Sequence, residues 1–193
     1  MGSRWRTICP RSARNPRRLF KRAWSTSSVG GVAAPDATTP KLPPRPREIR
    51  IAGIDPCKTL SSPQLASLQV RYSTTDEALD KRGPGCQWVH SPYEPVEAYT
   101  VAINTDGGVE LAFGQPELQV IAIAGFGAVQ TPGLYSSGKN DCIVEVDVAP
   151  RQAVQVGYFY NGSTVPMNHE IACQKARNAA ELVMQTILAR AGG

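Results

Sequence analysis

Five cysteines and two histidines are the residues of this chain best equipped for chemistry. Four of the cysteines, Cys57, Cys86, Cys142 and Cys173, lie far apart along the chain. None belongs to a Cys-x-x-Cys pair, and neither His90 nor His169 stands at zinc-finger spacing. The pattern reads as two long-range disulfides, not a metal site, and disulfides point to an oxidising compartment. Four free thiols would instead mean a reducing cytosol.

Other chemical groupings are weaker. Cys86 and His90 fall on one face of a strand, the raw material of a cysteine–histidine dyad. No third group orients the histidine, and Cys86 is better used in a bridge. His169, in the first turn of a helix, reads as a solvated or capping side chain. Glu145 and Asp147 share a strand face and, with Glu94 and Glu97, supply carboxylates for a calcium or glycosidase-like patch. The polar face of a half-solvated sheet is the favoured reading of them. Gly125-x-Gly127 and Gly107-Gly108 lack the strand–loop–helix context of a phosphate loop and read as turns. No catalytic residue, cofactor or metal is assigned. One binding surface is suggested by aromatics. Tyr158, Phe159 and Tyr160 are consecutive, so at least one ring faces away from the core, and Trp88, Tyr93 and Tyr99 belong to the same sheet region. The alternative is that helices cover these rings.

The elements that would position these residues follow from periodicity. Ser61-Ser62-Pro63-Gln64 offers a capping box with proline in the first turn, starting a helix whose apolar face is Leu60, Leu65 and Leu68. Asp76 to Gly85 reads as a polar loop. Strands follow at Cys86–His90 and Ala98–Thr105, then at Val120–Ile123 leading into Gly125–Val129. Residues 109–119 fit a short helix or an irregular crossing. Cys142 to Val148 and Gln152 to Tyr160 alternate apolar and polar residues across Ala149-Pro150-Arg151, the pattern of an antiparallel hairpin. Asn168 caps a last helix, with Glu170 in its first turn and Cys173, Ala176, Ala180, Val183 and Ile187 in one stripe. The fold class is α+β: an antiparallel sheet of about five strands, an N-terminal helix, a long C-terminal helix and two disulfides.

Charge divides the chain. Residues 1–24 carry eight Lys and Arg and no acid, whereas residues 51–193 hold nine Lys and Arg against fourteen Asp and Glu. An acidic domain disfavours nucleic acid as its partner. Three segments result: a basic one at 1–24, a Ser/Thr/Pro-rich stalk at 25–47, and a globular domain at 48–193. The longest apolar run, Val120 to Val129, is half the roughly 20 residues of a membrane-spanning helix. No apolar leader region follows the N-terminal arginines, and Cys9 lacks the setting of a lipidated cysteine. A secretory signal is therefore not visible. Trp5, Leu19, Phe20 and Trp24 among the arginines leave membrane-surface association open.

Cys86 and Cys142 each open a strand and point to its apolar face, while Cys57 and Cys173 adjoin the two helices. Of the three pairings four cysteines allow, this placement favours Cys86–Cys142 and Cys57–Cys173.

Several motifs occur in a suggestive order: Gly53-Ile54-Asp55-Pro56-Cys57 before Leu60-Ser61-Ser62-Pro63, Cys86-Gln87-Trp88, Gly125-Phe126-Gly127-Ala128-Val129, Asp141-Cys142, and Cys173 opening the last helix. Together they resemble an uncharacterised actinobacterial lipoprotein family defined only as a domain of unknown function. The resemblance implies export, usually with a lipidated cysteine before a Ser/Thr/Pro-rich stalk, and no established activity. The expected function is a non-enzymatic secreted or envelope protein, acting as a monomer on a small ligand, a lipid or an envelope protein. The competing expectations are a hydrolase with an unrecognised site and a cytosolic protein whose basic tail binds nucleic acid or membrane.

Overall fold

Period-two alternation builds the sheet, because successive strand side chains point to opposite faces. The computed structural model describes residues 39–80, 83–90, 96–133, 140–162 and 167–191. The basic segment 1–24, the linker up to residue 38, Tyr93, Glu94 and the middle of the Thr131–Asn140 loop lie outside these. The strands are β1 (Tyr72–Asp80), β2 (Gly83–Val89), β3 (Val96–Asn104), β4 (Gln119–Ile123), β5 (Phe126–Pro132), β6 (Asp141–Ala149) and β7 (Gln152–Asn161). They form one antiparallel sheet in the order β1-β2-β3-β7-β6-β5-β4.

The α+β class holds, with seven strands among the described residues against the five or so expected. One addition is β1, in the stretch read as a polar loop. It is an edge strand, where charged residues are tolerated because they discourage pairing with other chains. The other is β5, hidden by glycine and paired with β4 through Ala124-Gly125. Both turn residues have positive φ, 50° and 83°, as a two-residue hairpin requires. The Ala124 N–H donates to both carboxylate oxygens of Glu181, at 3.0 and 3.1 Å, which ties the turn to the last helix.

One face of the sheet carries the helices. Helix α2 (His169–Ala191) buries the expected stripe of Cys173, Ala176, Ala180, Val183 and Ile187 against Val144, Val146, Val154 and Val156. Asn168 caps it as expected, accepting from the Ile171 N–H at 2.9 Å. The short helix α1 (Ser62–Ser67) starts at the expected box: the Gln64 side-chain oxygen accepts from the Ser61 N–H at 2.7 Å. The Gln64 amide also donates to the Leu182 carbonyl, joining α1 to α2. Before α1, Asp55 accepts from the Cys57 N–H and starts a 3₁₀ turn, Pro56–Lys58.

The other face is crossed by chain expected to be stalk. Leu42 packs with Phe113, Leu118 and Val129; Pro43 lies over Gly127; Arg45 donates to Asp147 at 2.7 Å; and the Ile49 N–H donates to the Val148 carbonyl at 2.9 Å. A Cβ on Gly127 would approach Pro43 to 3.0 Å, so the absence of a side chain there lets the prolines seat. Ordered packing thus begins before residue 48. A second 3₁₀ turn, Val109–Ala112, completes this layer.

The disulfides correct the expected pairing. Cys57 bonds Cys86 and Cys142 bonds Cys173, with Cα separations of 5.1 and 4.9 Å. The reason lies in strand order: β3 and β7 stand between β2 and β6. Cys86 and Cys142 share the helix-bearing face but are three strand spacings apart, about 14 Å, beyond the reach of a bridge. Each instead bonds the helical segment lying over its own strand.

Candidate functional site

Backbone turns and one disulfide shape a cleft of about 520 Å³ at one end of the sheet. One wall is the segment from Ala52 to Pro56; the other is Pro84 and Gly85 of β2 with Ile103 and Thr105 at the end of β3. Ile54 folds back so that its N–H donates to the Ile51 carbonyl at 3.1 Å. The first wall is held from two sides. Cys57–Cys86 clips it to β2, and Arg190 of α2 donates to the Lys58 carbonyl at 2.6 Å. Ile54, Pro56, Pro84 and Ile103 make its lining mostly apolar. Its one acid, Asp55, already accepts from Cys57 and pairs with Lys58 at 3.3 Å. The volume suits a small molecule. Among the described residues, the lining has no histidine, thiol or second carboxylate for acid–base or nucleophilic work.

Toward the other end of β3, ionisable groups gather under the first turns of α2. Lys175 pairs with Glu97 of β3, and its Nζ stands 5.1 Å from the centre of the Tyr158 ring. The Tyr99 and Tyr158 rings pack tilted, 5.2 Å apart. Burial pushes both phenols well above their ordinary value of 10.0, and the Glu97 carboxylate beside them pushes the same way. Both stay protonated at physiological pH, and the Lys175 charge is spent on Glu97 and the ring. The cluster holds α2 to the sheet and presents no free base or nucleophile.

The helical layer covers four of the six rings weighed as a binding surface. Trp88, Tyr99, Tyr158 and Tyr160 are 1–3% exposed, because the alternation that aligns Tyr158 and Tyr160 with Val154 and Val156 points them at the helices. Phe159 lies half-buried on the opposite face, and Tyr93 lies outside the described residues. The proposed acidic patch is split: Glu97 is on the helix face, while Glu145 and Asp147 are on the other, each 7% exposed. Those two are covered, not half-solvated; Glu145 accepts from Gln155 and Asp147 from Arg45. Cys86, bonded to Cys57, has no thiol for a dyad, and the His90 Nδ1 pairs with the Gln69 carbonyl at 2.6 Å.

Sequence reasoning missed the cleft, the Glu97–Lys175 pair and the position of His169. The signal for the last was available, since His169 and Cys173 are four apart on one helix and so share a face. His169 stands against the Cys142–Cys173 bridge, each ring nitrogen 3.5 Å from the Cys173 Sγ.

The architecture defines a two-layer α+β domain whose helical layer is cross-linked to the sheet at two points. The chain belongs to the family described as "Protein of unknown function (DUF3558)", which matches residues 11–186. No curated protein and no solved structure matches it.

Proposed function

We propose that this protein is a non-enzymatic binding module of an extracytoplasmic compartment, holding a small apolar ligand in the cleft beside Cys57–Cys86. The observation that carries the reading is the cleft: concave, mostly apolar, of small-molecule size, and walled by a segment fixed covalently to β2. A wall held before binding costs less ordering when the ligand arrives. The compartment is supported by the two disulfides, which persist where thiols are oxidised.

Two measurements test it. Non-reducing mass spectrometry of protein from its own cells should give a mass four hydrogens below the reduced form, for two bridges. Free thiols there would overturn the compartment. An environment-sensitive apolar dye should bind the folded protein, and Ile54→Asp should abolish the signal while the unfolding midpoint stays put. Equal dye binding by wild type and variant would overturn the cleft.

A further inference from the structure

The Cys142–Cys173 bridge has a third donor beside it. Cys142 Sγ, Cys173 Sγ and a ring nitrogen of His169 all lie within 4.8 Å of one another. Two elements fix them. Cys142 is the first inward residue of β6, paired with Pro132 and Tyr158 in neighbouring strands. His169 and Cys173 occupy successive turns of α2, whose start is held by Asn168. We propose that reduction of this disulfide converts Cys142, Cys173 and His169 into a zinc site, so that the bridge and the bound metal are alternative states of one place. This does not rest on the cleft or on its ligand.

The geometry supports three of the four corners of a tetrahedron. With Zn–S near 2.3 Å and Zn–N near 2.05 Å, a tetrahedral edge between sulfur and nitrogen is about 3.6 Å. Both ring nitrogens of His169 stand 3.5 Å from Cys173 Sγ, so the sulfur lies over the ring face, and a turn of the imidazole about its Cβ–Cγ bond aims one nitrogen at the shared ion. The edge between two sulfurs is about 3.8 Å, reached when the S–S bond opens. The surroundings favour a metal over two free thiols. Both cysteines are fully buried, where an uncompensated thiolate is costly. His169 is only half-buried, giving a route for the ion and a place for water as fourth ligand. Two thiolates and an imidazole suit a borderline-soft d¹⁰ ion and not calcium or magnesium.

The chemistry balances with a dithiol as reductant. The dithiol gives two electrons and two protons to the Cys142–Cys173 bond and becomes a disulfide itself. Zinc then displaces one proton from each thiol. Thiol–disulfide exchange with a second disulfide takes the two electrons back: the Cys142–Cys173 bond reforms, the exchanging disulfide leaves as two thiols with two protons from solvent, and the ion is released.

Cobalt(II), a spectroscopic stand-in for zinc, tests the site in the full chain. After reduction, titration should produce thiolate-to-cobalt charge transfer and tetrahedral ligand-field bands that saturate at one equivalent; the oxidised protein should show neither. Zinc should displace the cobalt. His169→Ala should weaken binding by at least roughly tenfold, and His169→Cys should restore it. The Cys142→Ser/Cys173→Ser variant should lose the signal, and Cys57→Ala/Cys86→Ala should keep it, which separates this site from Cys9 and from the other bridge. If reduction loosens the fold, zinc should restore the circular dichroism of wild type and not of His169→Ala. Absence of bands in the reduced protein, or binding indifferent to both His169→Ala and Cys142→Ser/Cys173→Ser, overturns the proposal.

Discussion

Removing one bridge at a time measures whether the two disulfides are independent clamps. Cys57–Cys86 spans 29 residues and Cys142–Cys173 spans 31, and the two loops follow one another along the chain without overlap. In the chain-entropy treatment, closing loops of these sizes removes about 12 cal/mol/K from the unfolded state, or about 3.6 kcal/mol at 25 °C for each bridge. Cys57→Ala/Cys86→Ala and Cys142→Ala/Cys173→Ala should therefore lose nearly equal stability. The quadruple variant should lose the sum, because Cys86 and Cys142 sit about 14 Å apart on the sheet. In urea titrations each pair removed should lower the unfolding free energy by roughly 3–4 kcal/mol; on heating, the midpoint should fall by about 7–14 °C. Nested bridges behave differently, since an inner bridge shortens the outer loop and the losses cease to add. A quadruple variant no less stable than the weaker double variant would refute two separate clamps and reopen the pairing.

Three further outcomes are expected. Gly127→Val should displace Pro43 and free residues 42–47, read as faster tryptic cleavage after Lys41 and Arg47 and loss of exchange protection at the Ile49 amide, with the unfolding midpoint changed less. Ala124→Gly should stabilise by up to about 1 kcal/mol in urea titration, by relieving a positive φ in an alanine. The raised phenols set an alkaline limit. Tyr99 and Tyr158 keep their protons in the fold above pH 10, while the unfolded chain releases them there, so stability present below pH 10 falls as pH rises further. Ultraviolet titration of the folded protein should show two tyrosines resisting ionisation until it unfolds, and ordinary titration of all tyrosines would contradict their burial.

The parts of the fold legible in the sequence are those where one periodicity dominates. Helix α2 was legible because its small and apolar residues recur every three or four positions, and the β6–β7 hairpin because valines alternate across a turn. The disulfide pairing was not, because strand order decides it: nothing in Cys86-Gln87-Trp88 says that β3 and β7 will stand between β2 and β6. The strap that residues 42–47 form across the far face was missed because Pro44-Arg45-Pro46 reads by composition as disordered, and its seat depends on an unfilled position at Gly127 and on Asp147, over eighty residues away. The cleft was invisible for a related reason. Its walls come from a backbone turn before α1 and the ends of two strands, and no residue type announces them. The aromatic patch failed against a rule already in hand, since the period that aligns Tyr158 and Tyr160 with Val154 and Val156 also buries them.

The two faces of the sheet are held by different forces, and that difference bears on function. On the helix face the 3₁₀ turn Pro56–Lys58 and helix α2 are each bonded covalently to a strand, so the cleft wall keeps its place even when local contacts fluctuate. On the other face residues 42–47, before Ile49 enters the main core, are held by one ion pair, a bare glycine and a small apolar cluster. Such contacts open at a fraction of the global unfolding cost. Arg45–Asp147 is partly exposed, so it contributes little once salt screens it. A pull arriving through the N-terminal approach is therefore taken first by the strap. It peels from the sheet while both disulfides stay closed, and the helix face is left undisturbed. If the cleft holds a ligand as proposed, that order of failure keeps it in place, with the covalent bridges on the cleft side and the yielding contacts on the opposite face.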